Sequence, residues 1–461
     1  MTFDFRSLAA FRITLGALVL SQSVLLFHDF AAFYQPGGIL TQQLWSELLV
    51  RTLVFGVLPF FAVLLLIGFA TRLSTLVCFV GVIIVQDANP EILQGGDVLL
   101  RLLLFWSVFL PLGRIWSLDV MWMKVRSASL PKTSFLATWA LTLQICFIYW
   151  FAAFLKSDPL WTQNGNALFY ALNIEHFTTP LGLYLRHFPD LLRFITLTTP
   201  WVELIGPCFL FIPWHRDRFR LAVVILFMSF HLVGMESLLR IGLFPWVCAT
   251  AWLIFVPGFF WDWVKAGCDR FLKSKREKRL ASRKEISSSV YRPALDYTCS
   301  FLIVVSFLDV LAWNIASVSG TAAQKWMQEH DFYAHITRLD QRWNMYAPAP
   351  RQEHGWLIVP ADLANGTQVD LFTGQPVSWE KPKDMGVYFG DDRWRRYLSN
   401  LFDDQDPQAL QEYAHYLVRN WNQTHTDDQV QAVTIIFMRQ ITQSDLTVTP
   451  PEKDVLYFHA Y

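Results

Sequence analysis

The sequence predicts a polytopic membrane protein: an all-α bundle of about nine transmembrane helices with a small C-terminal extracytoplasmic α+β domain. Three observations lead there. The chain of 461 residues is 53% hydrophobic and only 16% charged, against about a quarter charged in soluble proteins. The apolar excess falls in runs of roughly 14–23 residues, close to what crosses a hydrocarbon core about 30 Å thick, and these runs stop near Gly320. The charge divides at the same place. Residues 320–461 hold 12 Lys/Arg and 19 Asp/Glu, and residues 1–319 hold the remaining 26 and 19.

The runs lie near 11–28, 52–69, 73–86, 98–112, 136–154, 190–212, 220–235, 243–261 and 297–318. Arg6 and Arg12 precede the first, but no small-x-small cleavage site closes it before His28 and Asp29, so it reads as an uncleaved span. The third and seventh are short enough to tilt or re-enter. Basic residues alternate between loops: Arg72 follows span two, and Arg114, Lys124, Arg126 and Lys132 follow span four. Arg216, Arg218 and Arg220 follow span six, and Lys265, Arg270, Lys273, Lys275, Arg276, Lys278, Arg279, Arg283 and Lys284 follow span eight. Short Lys/Arg-rich loops stay cytoplasmic. The N-terminus is therefore expected inside an inner (plasma) membrane, and an odd number of spans puts the tail outside. The expected units are a membrane domain (1–264), a basic cytoplasmic linker (265–295), a last span (296–319) and the outer domain (320–461).

Neither half has the basic stripe of a nucleic-acid binder, so the expected partner is the bilayer. The 265–284 cluster reads as a topology-fixing loop, with an anionic-lipid patch as the alternative. The six cysteines fall before residue 320 without CxxC or CxxH spacing, which reads as buried thiols. No HExxH, P-loop or GxSxG occurs, so no metal site is expected, and nucleotide-driven transport and the common hydrolase chemistries lack support.

Ionisable groups inside spans are costly and therefore informative. Arg12 and Arg101 read as snorkelling or paired structural residues. Gln94-Gly95-Gly96-Asp97 opens span four with an acid suited to a helix N-terminus, and Ser117-Leu118-Asp119 reads as a cap. The fifth span ends in Tyr149-Trp150-Phe151-Ala152-Ala153-Phe154-Leu155-Lys156-Ser157-Asp158-Pro159-Leu160-Trp161. A lysine desolvated among aromatics has its neutral form favoured and becomes usable as a base; the alternative is a lysine that snorkels beside Trp161. His231 and Glu236, little more than a turn apart, suggest a proton relay, and Glu203 after Pro200 is a buried carboxylate candidate. Lys156, Trp161, Glu203, His231 and Glu236 thus form the candidate catalytic and pocket set.

Lys156 to Trp161 with Gly165, and Phe230-His231 followed by Ile241-Gly242-Leu243-Phe244-Pro245-Trp246, resemble the horizontally transferred transmembrane (HTTM) domain, which is shared with vitamin K-dependent gamma-carboxylase. The resemblance covers most of residues 1–260. It implies a reduced-quinone cofactor, with Lys156 at the position of the base that deprotonates reduced vitamin K and Trp161 at the closing tryptophan. Leu155 stands at the family's second lysine position, and Gly234 where an Asn is expected. Gln94 to Asp97 replaces an Asn-His-x-Tyr-Leu-like element, and the tail is smaller than the carboxylase's lumenal domain.

The tail reads as α+β. Trp343 to Pro350 is expected to be a rigid connector leading away from the last span. Strands are expected at 355–358, 368–372, 376–379 and 430–439, with a turn at Asn365-Gly366 and helices at 393–402 and 406–422. Asp406 caps the second helix, ahead of Pro407. The tail resembles the extracytoplasmic segment of many bacterial HTTM proteins, which implies a bacterial source and leaves the Asn365 and Asn422 sequons idle. Arg393-Trp394-Arg395-Arg396-Tyr397 either grips an anionic group or packs on the membrane domain. Two functions stay open: a lipid-quinone enzyme, and a non-catalytic scaffold or receptor binding a periplasmic protein through the tail. A transporter is disfavoured, since paired broken helices and internal repeats are not visible.

Overall fold

The computed structural model describes residues 3–35, 38–39, 46–122, 132–272 and 293–461. The membrane domain is built from α1 (Phe5–Tyr34), α2 (Glu47–Ile67), α3 (Thr71–Ala88), α4 (Gly95–Ser107), α5 (Lys132–Leu155), α6 (Pro189–Phe211), α7 (Arg216–Leu238), α8 (Phe244–Phe255), α9 (Gly258–Leu272) and α10 (Pro293–Ser319). Among the described residues seven of these, α1 to α3, α5 to α7 and α10, are long and apolar enough to cross a membrane. The third and seventh runs are not short, since α3 has 18 residues and α7 has 23. A π-helical turn, Phe230–Met235, lies within α7.

Two of the nine expected spans need correction. The fourth is a helix of 13 residues, nearly all buried, and at 1.5 Å per residue it is about 20 Å long. It still joins the two ends of the bundle. At its start the Asp97 carbonyl accepts from Gln86 near the end of α3 (3.0 Å). Beyond its end, Asp119 caps the beginning of α3, accepting from the Ala70 and Thr71 amides at 2.7 and 2.9 Å. A helix enclosed by other helices need not match the lipid thickness. The eighth run is bent by 96° between α8 and α9, next to Pro257, whose ring leaves no N–H to continue the helix.

The two ends of the bundle differ in what they gather. At one, Arg6 pairs with Asp4 and Asp262, and buried Arg12 donates to the Trp116 carbonyl at 2.6 Å. Arg114 stands over the Phe5 ring, and Arg220 and Lys265 line a cavity with Arg6. Lys124, Arg126 and the run from Lys273 to Lys284 lie outside the described residues. The outer domain sits on the opposite end, through Arg393 on Asp97, Asp340 on Arg101 and Asp384 on Arg240. Arg101 is thus ion-paired with Asp340, whereas Arg12 is held by backbone carbonyls. The cysteines divide: Cys78, Cys146 and Cys248 are buried, whereas Cys208 and Cys268 are exposed on the bundle.

The connector also departs from expectation, because it turns back into the bundle. Leu339, Gln341 and Trp343 are buried. Gln144 of α5 donates to Gln341 at 2.7 Å, and the Trp343 indole donates to the same oxygen at 3.0 Å. Tryptophan is buried most readily where its N–H finds an acceptor, and here Gln341 of the same segment provides it.

The outer domain holds an antiparallel sheet of β1 (Glu353–Ile358), β2 (Pro360–Leu363), β3 (Gln368–Asp370), β4 (Val430–Ile441) and β5 (Glu452–Ala460). β1 and β2 share one edge of β4, at Ile436–Ile441 and Val430–Val433, while β5 covers the other edge. Gly366 turns the β2–β3 hairpin at φ +81. Two helices lie against the sheet, α11 (Asp392–Asp404) and α12 (Pro407–Thr424), the latter capped by Asp406. The expected strand at 376–379 is absent, since Pro376 has no N–H to give a ladder. β2 and β5 were not foreseen. β5 is largely exposed and carries charged residues, so its apolar positions give little alternation.

Candidate functional site

α5 ends where Ser157-Asp158-Pro159 disfavours a further helical turn. Asp158 instead caps the short helix Pro159–Thr162, accepting from the Leu160 amide at 2.8 Å. Lys156 is therefore left on the last turn of α5, where unpaired carbonyls favour a cation, and its ammonium reaches the Ala152 carbonyl at 3.4 Å. It does not snorkel. Lys156 is 5% exposed and Glu203 6%, and Nζ lies 2.7 Å from Oε2 and 3.0 Å from Oε1 of Glu203 on α6. Trp161 folds over the pair with its ring centroid 5.3 Å from Nζ. Its indole donates to the Tyr346 carbonyl of the connector at 2.9 Å. Three of the five candidate residues thus meet at one buried point.

The other two separate. His231 is buried on the π turn of α7, and its Nε2 is 2.8 Å from the Tyr149 hydroxyl, which also accepts from the Trp252 indole at 2.6 Å. His231 Nδ1 is buried without a hydrogen-bond partner. Among the described residues no hydrogen bond or ion pair joins Glu236 to His231, Lys156 or Glu203, and Glu236 is only half-buried. The expected His231–Glu236 relay is replaced by a His231–Tyr149 couple, because the imidazole faces the core between α5 and α8 and takes the hydroxyl there.

Tyr149 and Lys156 are seven residues apart on α5, two turns and about 10 Å along one face. That spacing was the available signal for Tyr149. Neither Trp252 nor the Tyr346 carbonyl had one, since both arrive from distant sequence.

The arginine run of the outer domain is engaged by protein groups, with Arg393 and Arg396 reaching the membrane domain. Arg393 makes a two-pronged pair with Asp97, 2.7 Å on each arm. Arg396 donates to the Leu93 carbonyl at 3.1 Å, and Arg395 to carbonyls of its own domain at Gly386 and Gly390.

A family model for the HTTM domain matches residues 2–263, more than half of the chain. The chain belongs to the HTTM family. Lys156, Trp161, Glu203 and the His231–Tyr149 couple all lie inside the matched HTTM domain, whereas the connector that supplies Tyr346 and the whole outer domain lie beyond it. No curated protein and no solved structure matches this HTTM chain.

Proposed function

We propose that this HTTM protein is an integral membrane enzyme that removes a proton from a weakly acidic, apolar lipid such as a reduced quinone, with Lys156 as the base. The observation that carries this reading is the desolvated Lys156–Glu203 pair. An ammonium facing a carboxylate in a low-dielectric interior is costly. Passing one proton from Nζ to Glu203 leaves a neutral amine beside a neutral acid, which the same interior tolerates. Glu203 thereby supplies the base form of Lys156, and an acidic hydroxyl placed at Nζ completes the transfer. Trp161 held by Tyr346 keeps water from the pair, and the His231–Tyr149 couple is a second proton-carrying contact on the same helix. The HTTM relation to the gamma-carboxylase membrane domain points to the same chemistry.

We place the N-terminus and the end gathering Arg6, Arg114 and Arg220 on the cytoplasmic side. Nine passages, counting α4 and α8, then carry the outer domain to the extracytoplasmic face.

The competing reading, a non-catalytic scaffold, is favoured by how completely the pair is closed off. The two readings separate on substitution. Lys156→Ala alone strands Glu203 and should cost roughly 3–5 kcal/mol, so activity loss in that variant is ambiguous. Lys156→Met with Glu203→Gln removes both charges and should keep the fold. A base reading expects wild-type protein in detergent to convert a reduced naphthoquinone to its anion, visible in its absorbance, with the double variant and Lys156→Arg at least about 100-fold slower. Full conversion by Lys156→Arg would overturn the base assignment, since guanidinium does not release its proton.

A further inference from the structure

A second cluster of ionisable groups lies at the seam between the membrane bundle and the outer domain, away from Lys156. Gln22, Leu25 and Asp29 recur at helical spacing on one face of α1 and, with Asp391 and Asp392 at the start of α11, line a cavity of about 40 Å³. That is room for one ion or water, since a single water needs roughly 10–15 Å³. His28, which is not part of that lining, has Nδ1 3.0 Å from Asp29 Oδ1 and 3.9 Å from Asp391 Oδ2. One ligand atom each from His28, Asp29 and Asp391 lie within 4.8 Å of one another.

Two carboxylates here share one exposed imidazole, His28, as their nearest cationic group. The one buried guanidinium at the cavity, Arg393, is engaged on both arms by Asp97. Asp391 spends Oδ1 on the Arg393 and Trp394 amides as the cap of α11, which leaves Oδ2 toward Asp29. Asp29 is 4% exposed, and its carboxylate nonetheless faces another carboxylate.

An independent observation comes from Gln22, which is 5% exposed. Its Nε2 donates to Asp97 at 2.8 Å, which fixes the amide orientation because only the nitrogen can donate to a carboxylate. Its Oε1 is then turned away from Asp97 and has no hydrogen-bond partner, although Gln22 lines this cavity. A buried carbonyl oxygen without a donor carries a cost, and an ion in the cavity would remove it.

We propose that His28, Asp29 and Asp391 bind a divalent transition ion, Zn²⁺ or Mn²⁺, that ties α1 of the membrane domain to the cap of α11 in the outer domain. One imidazole nitrogen with two carboxylate oxygens suits these ions, whereas an all-oxygen set would suit Ca²⁺ or Mg²⁺. The ligands come from both domains, so the ion binds the docked arrangement and stabilises it by mass action. His28 is largely exposed, which gives the ion a path from water.

The test uses tag-free full-length protein in detergent, stripped with EDTA and then given Zn²⁺, Mn²⁺, Ca²⁺ or Mg²⁺ singly. The expected result is one Zn²⁺ or Mn²⁺ per chain by elemental analysis, with melting raised by several degrees. His28→Ala alters an exposed side chain and should keep the fold while weakening binding at least tenfold. His28→Ala with Asp391→Asn should bring stoichiometry near zero and abolish the shift. An unchanged stoichiometry in His28→Ala would overturn the site. So would a wild-type protein that neither retains an ion nor melts higher with one, including the case in which only lowered pH stabilises it and the carboxylates share a proton.

Discussion

Replacing Arg393 with Met should undo the docking of the outer domain more than any exposed change at the same seam. Arg393 is buried and meets both oxygens of Asp97 at 2.7 Å, and it also donates to the Ile92 carbonyl at 2.8 Å. Burial alone would lower its proton affinity, but Asp97 more than reverses this and holds the guanidinium above its usual range. Without it, Asp97 keeps only the Gln22 amide and the Gln94 N–H, and a buried charge robbed of its partner costs about 3–5 kcal/mol. If the whole cost falls on the docked state, amide exchange along Asp392–Asp404 should accelerate at least about 150-fold, the factor for 3 kcal/mol. Removing the second charge as well, with Asp97→Leu in the Arg393→Met background, should recover most of the loss. The measurement is hydrogen exchange of the full chain in detergent with EDTA, so that no added ion compensates. Acceleration below about fivefold in Arg393→Met, or a double variant no better than the single, would refute the ion pair as the main tie.

Two further outcomes follow from the same geometry. His176 and His354 lie in the layer between the domains, hydrogen-bonded to Ser399 and Thr442. Burial pushes them down to about 3 and about 4, aided by Arg395 and Arg351 beside His176 and by Lys381 and Arg186 beside His354, where Glu175 opposes. Since the unfolded chain takes up their protons near pH 6.5 and the folded chain does not, stability is full above 6.5 and falls as pH drops toward 4. The loss should reach about 2 kcal/mol per histidine at pH 5; a His176→Gln, His354→Gln variant whose melting keeps the wild-type slope over that window would contradict this. Asp119→Ala removes the acceptor of the Ala70 and Thr71 amides and the Thr71 hydroxyl, and should cost about 2 kcal/mol. A thermal shift under one degree would show that α3 finds another cap.

Run length and composition place most of the bundle in the sequence, because a helix facing lipid must be apolar along its whole length. α1, α2, α3, α5, α6, α7 and α10 were legible for that reason. α4 is shorter than its apolar run suggested, because being enclosed by protein relaxes the length requirement but leaves the residues just as apolar. The bend at Pro257 was passed over inside one long run. In the outer domain the Asn365-Gly366 turn and the Asp406 cap are local signals and were read correctly, whereas β5 forms mainly because β4 offers it an edge.

For the candidate site, the sequence supplied the residue types that a membrane makes expensive: Lys156, Glu203 and His231 stand out because each is costly where it lies. Which of them meet was decided by packing. Glu203 reaches Lys156 from 47 residues away, His231 takes Tyr149 in place of its sequence neighbour Glu236, and Arg393 finds Asp97 across 296 residues. His28 and Asp29 meet Asp391 from opposite ends of the chain, with no ligand spacing to announce them. Cost is a property of a residue in its own stretch of chain and can be read there. A partner is a property of two stretches, and it exists only once the helices have packed and the connector has folded back into the bundle.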